Sequence, residues 1–174
     1  MFTGEQLVYA TARAATAFYF TTLFVRLLVD DAERRMTWRR RLGTIGLAIY
    51  LLHVVAAFQF VHRWSHADAL AATARRTAEE TGFPSGIGLY FNYLFTLVWI
   101  VDVAWQWLAP TSYTRRPRSV SLLIDGFLFF MVFNAVVAFG HGPTRWVGLT
   151  ACIMLFILLL RRHTGLEPVG RERR

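Results

Sequence analysis

No lysine occurs anywhere in these 174 residues, so all nineteen basic side chains are arginine. Cysteine is nearly absent as well. The single one, Cys152, lies inside an apolar run, which excludes an intrachain disulfide framework and a cysteine-based metal cluster. Its plain reading is a small buried hydrophobe. Charge is sparse: 17% of residues are charged and 55% are hydrophobic, whereas a soluble domain carries about 25% charged residues. There is no internal repeat, no low-complexity tract and no stretch that reads as a soluble domain. No basic region precedes the first apolar run, which follows Glu5 and contains Arg13, so the start reads as a retained helix rather than a cleaved signal peptide.

Five apolar stretches are present, at Leu7–Val29, Gly43–Val61, Ile87–Leu108, Val120–Gly140 and Trp146–Leu160. A hydrocarbon core of about 30 Å takes about 20 helical residues at 1.5 Å each. The first four meet that length, and the shorter fifth is flanked by Arg145 and Arg161, which can snorkel to the interfaces. The expected fold is all-α: a single integral membrane bundle of five transmembrane helices, followed by a basic tail over 161–174.

Arginine placement orients this bundle. With the N-terminus outside, the segments 30–42, 109–119 and 161–174 are cytoplasmic, and their thirteen arginines against five carboxylates leave a net charge of +8. Four arginines outside (Arg63, Arg75, Arg76 and Arg145) meet four acids (Glu5, Asp68, Glu79 and Glu80). That asymmetry is the positive-inside pattern, and it predicts a multi-pass protein of a cell's inner (cytoplasmic) membrane with a cytoplasmic C-terminus. A net charge of +8 in a soluble protein would suggest nucleic acid. Here the basic residues sit at the ends of apolar runs, so they read as topology signals and contacts to anionic lipid, with no nucleic-acid partner.

The longest connection opens with Ser65-His-Ala-Asp68, a capping-box pattern, and ends at Gly82-Phe-Pro-Ser-Gly86. It predicts a surface helix over 66–81 on the outer face, weakly amphipathic because alanine dominates. Within the spans no Gly-x-x-x-Gly pair occurs, and Ala10, Ala14 and Ala17 form a small-residue patch suited to close helix packing.

Charged groups at bilayer depth cost several kcal/mol unless paired, so each is a functional candidate. Asp102 and Asp125 lie roughly 9 Å and roughly 8 Å from the inner ends of their helices, at the level of Arg26. A structural ion-pair set is expected, with Asp102 or Asp125 in reach of Arg26 or of a loop arginine; a proton or cation path through His53, Asp102 and Asp125 is the functional alternative. Arg13, Gln59, Asn92 and Asn134 make an outer layer expected to hydrogen-bond between helices. Trp99, Trp105 and Trp107 with Phe127, Phe129, Phe130 and Phe133 could line a lipophilic ligand, though such residues more often pack or anchor at interfaces.

Of the five histidines, His163 falls in the tail and His53 near mid-membrane. His62 and His66 stand four apart, on one face if the second helix continues that far. With His141 in Gly140-His-Gly-Pro143, and with Asp68 and Glu79 as further ligands, they could form an outer-face site for Zn or Cu. Interfacial histidines that only hydrogen-bond are the plain alternative. Haem b held by His53 and His141 is a further reading, although their depths differ by roughly 15 Å.

The segments His62-Arg-Trp-Ser-His-Ala-Asp68, Thr73-Ala-Arg-Arg-Thr-Ala-Glu79, Gly88-Leu-Tyr-Phe-Asn-Tyr93 and Asp102-Val-Ala-Trp105 resemble bacterial multi-pass membrane proteins without assigned function. The resemblance implies a membrane bundle and carries no activity with it. Three functions remain open. The first is a small membrane subunit or assembly factor of a larger complex. The second is a metal- or haem-binding redox protein or enzyme, and the third an oligomeric transporter or channel.

Overall fold

In a computed structural model, residues 3–164 are described, apart from the side chains of 162–164. The tail beyond Thr164 and the His163 side chain lie outside the described residues. The described residues are mostly helical and hold no strand: α1 (Gly4–Leu28), α2 (Ala32–Phe60), α3 (His66–Thr81), α4 (Gly88–Leu108), α5 (Pro110–Thr114), α6 (Arg118–Phe133) and α7 (Pro143–Thr164). A π-helical turn, Asn134–Ala138, extends α6.

Local chemistry explains the boundaries. Thr3 and Gln6 form a reciprocal capping box at the start of α1, Asp31 caps α2 through Arg34 N, and Ser65 caps α3 through Asp68 N. Each cap supplies an acceptor to an otherwise unpaired first-turn amide. Gly82 ends α3 at φ +80, a left-handed conformation that glycine adopts at no steric cost.

Because Asp31 starts α2 so early, the segment 32–42 is not a loop. It forms the first three turns of α2 and carries Arg34, Arg35, Arg39, Arg40 and Arg41 on a helix. The span expected at 43–61 is therefore the apolar part of a 29-residue helix. A further short helix, α5, occupies part of the expected 109–119 loop. Contrary to expectation, α3 is the most amphipathic of the long helices. Ala69 on it is fully buried, while Arg75, Arg76, Glu79 and Glu80 face out.

Four helices are long and apolar enough to cross a membrane: α2, α4, α6 with its π turn, and α7. The first helix is 25 residues long but is diluted by Arg13, Arg26 and several threonines. Five helices close into a ring, with α1 packed on α2 and α7, α2 on α4, α4 on α6, and the π turn on α7. Tyr19, Phe20, Leu47, Phe95, Trp99 and Leu128 are among the buried side chains that fill its middle. Leu108, Leu122, Leu123 and Val147 are at least 70% exposed on the outside, an apolar exterior that suits lipid rather than water.

The face that α1 turns inward differs from the small-residue patch. Thr11, Ala15 and Tyr19 are buried, whereas Ala10 and Ala17 are exposed and Ala14 is half-buried. One residue along a helix is a rotation of about 100°. Close approach still occurs, at Gly46 of α2, where an added Cβ would stand 3.1 Å from Phe18 Cβ and 3.3 Å from the Trp99 ring.

Candidate functional site: the arginine–aspartate network

The polar groups inside the bundle converge where α1, α2, α4, α5 and α6 meet near one end of the helix ring. Asp102 of α4, 5% exposed, accepts from Arg116 Nη1 at 2.8 Å, Gln106 Nε2 at 2.8 Å and Tyr113 Oη at 3.4 Å. Asp125 of α6 pairs with Arg26 of α1, with Arg39 of α2 at 3.1 Å and with Arg116 at 3.7 Å. Arg116 thus bridges both carboxylates, and its Nε donates to Ser121 Oγ at 2.8 Å. Two aromatic rings cover the guanidinium groups: Arg116 lies 4.0 Å and Arg39 5.4 Å from the Tyr113 ring, and Arg40 lies 4.1 Å from Trp107. Such stacking stabilises a partly desolvated cation.

Two groups here lie outside the spans and titrate away from their ordinary range. Burial pushes the Tyr113 phenol far up, with Arg39 and Arg116 opposing it, so it stays protonated and donates to Asp102. Burial opposes the charge on Arg116, but its bond to Asp102 and the fields of Tyr113, Asp102 and Asp125 together outweigh that and raise its pKa. Gln106 Oε1 is buried with no hydrogen-bond partner. It lines a cavity of about 30 Å³ together with Tyr19, Arg39, Asp102 and Asp125, room for a water molecule and far too little for haem or a quinone.

Arg26, Asp102 and Asp125 were singled out in the sequence, and the structure brings them into one network. Arg39, expected only as one of several loop arginines, lies instead on α2. The signal lay in the register Arg39, Gly43, Gly46, Tyr50, which shares a helical face once α2 starts at Ala32.

The histidines are arranged differently from the expected metal site. Helix α2 ends at Phe60, and Arg63 and Trp64 then take positive φ, +50 and +59. That left-handed break puts His62 and His66 on separate elements instead of one helical face. His66 Nδ1 lies 3.0 Å from Tyr93 Oη, and His62 packs edge-on to Phe58. Burial lowers the His62 pKa, with nearby Asp68 opposing. His141 Nε2 lies 3.2 Å from Glu80 Oε1, and Arg76 donates to the Phe139 carbonyl at 2.8 Å, so the two contacts strap α3 to the α6–α7 connection. Glu79 is exposed. Among the described residues, no three His, Cys, Asp or Glu side chains gather to hold a metal.

His53 Nδ1 is 3.0 Å from the Val8 carbonyl, which ties α2 to α1 rather than to the setting of His141. Two members of the expected outer layer bond locally. Asn134 Nδ2 donates to Phe130 O one turn back, and Gln59 Oε1 accepts from Trp64 Nε1. Trp99 packs on Tyr19, Tyr50 and Phe95, Trp105 on Tyr113, and Trp107 and Phe130 are exposed; these rings form no common chamber. Against protein-family models, curated proteins and solved structures, the chain finds no match.

Proposed function

We propose that this protein is a small, non-catalytic integral membrane subunit or assembly factor of a larger complex. It spans an inner (cytoplasmic) membrane five times, with its N-terminus outside. The observation that carries the reading is the filled interior. Aromatic rings occupy the centre of the helix ring, and both carboxylates in the spans face arginines of the same chain. Catalysis and transport both call for polar groups aimed into a chamber that substrate enters; here those groups knit helices together.

The fifth span draws support from the pairing of α1 with α2. Val8 lies against His53, and Phe18 against Gly46. The two helices therefore run antiparallel, side by side, along the apolar part of α2. A helix so placed crosses the same depth as its neighbour. Fusing a reporter that is active only outside the cytoplasm should give signal after Ser85 and none after Arg116. The reverse pattern overturns the orientation.

Purification from native membranes in mild detergent tests the function. Distinct polypeptides should accompany the 20.0 kDa chain in fixed stoichiometry. A lone chain carrying stoichiometric metal or a visible absorbance band would replace this reading with a redox protein.

A further inference from the structure

The outward face of α1 does not suit lipid. Gln6, Ala10, Arg13, Ala17 and Thr21 are all exposed and recur at spacings of three and four, so they form one stripe along the helix. Arg13 sits between the levels of Val8, which meets His53, and Phe18, which meets Gly46. That places it near the middle of the apolar part of α2. An arginine side chain at that depth falls short of either interface, because half the hydrocarbon core is about 15 Å. Among the described residues, its guanidinium has no hydrogen-bond, ion-pair or ring partner. A charge facing hydrocarbon costs several kcal/mol, while the alanines flanking it allow a second helix to approach closely.

We infer that this stripe is the docking face for a transmembrane helix of a different polypeptide, one that presents an Asp or Glu carboxylate to Arg13. Charge complementarity selects the occupant. A second copy packed through the same face would set Arg13 against Arg13, and the two carboxylates in its spans are already engaged by its own arginines. The inference rests on the subunit reading and specifies its partner. It also accounts for the polarity of α1: the ring helix less apolar than the other four is the one whose outer face another helix covers.

The test places a photo-crosslinking residue at position 17 of the full-length chain in native membranes, with the same probe at position 159 on α7 as a lipid-facing control. The probe at 17 should label one transmembrane segment that contains Asp or Glu, identified by mass spectrometry. Arg13→Leu should reduce that product by at least about tenfold, as loss of a charge-assisted bond implies, and Arg13→Lys should retain most of it. The isolated Arg13→Leu chain should keep its thermal stability, since Arg13 has no internal partner. Labelling of lipid alone, a product of twice the chain's mass, or indifference to Arg13→Leu overturns the inference. So does equal destabilisation of the isolated variant. If partners co-purify and yet crosslink only from other helices, the docking face fails and the subunit reading stands; if no partner co-purifies, both fail.

Discussion

Replacing Arg116 by methionine lowers the stability of the purified chain by about 3–5 kcal/mol, the cost of leaving a buried charge without its partner. The orphan is Asp102. Its side chain is 7% exposed and that of Arg116 is 4% exposed, so water does not screen the loss as it does at a surface pair. Gln106 and Tyr113 still donate to Asp102 in this variant, but neutral donors do not balance a carboxylate in a low dielectric. Asp102→Leu alone is damaging too, because the one carboxylate left to Arg116 is then Asp125 at 3.7 Å. The double variant should recover much of the loss, since two desolvation penalties disappear together. Denaturation in detergent across the four-member cycle checks this. Additive losses would mean that the two residues act independently, against the geometry.

The second large effect belongs to the aromatic centre. Trp99→Ala should cost about 3–5 kcal/mol through lost burial and a residual cavity. Trp99 is 4% exposed and holds Tyr50 at 5.3 Å, Phe95 at 5.3 Å and Tyr19 at 5.8 Å between ring centroids. Gly46 is its counterpart on α2. Gly46→Ala sets a methyl against the Trp99 ring and Phe18, an overpacking cost of about 1–3 kcal/mol. In the Trp99→Ala background the same methyl has room on one side, so its cost should fall. Gly126→Ala is the contrast, because an added Cβ there meets nothing within 4 Å. It should be neutral or stabilising by up to about 1 kcal/mol, from helix propensity alone. Thermal unfolding of the set decides, and equal costs for Gly46→Ala in both backgrounds would contradict the contact.

Much of this fold is legible as a one-dimensional pattern. The helix expected at 66–81 is His66–Thr81, and the stretch 87–108 is Gly88–Leu108. Their boundaries depend on residues that act within a turn, such as the Ser65 cap and the Gly82 terminator. Apolar length and arginine position likewise report how deep a residue lies, which is why Arg26, Asp102 and Asp125 could be assigned to one layer before any contact was known.

What the sequence by itself could not determine is rotation about each helix axis. Ala10, Ala14 and Ala17 and their neighbours Thr11 and Ala15 occupy the same depths, and only packing against α2 and α7 turns the second set inward. For the same reason His62, His66 and His141, expected at one outer level, are held by different neighbours. Arg39 meets Asp125 across 86 residues of chain. Depth is set by how each segment partitions between water and lipid, a local property summed along the chain. Azimuth is set by which side chains interlock with neighbouring helices, and that is decided only when the bundle closes.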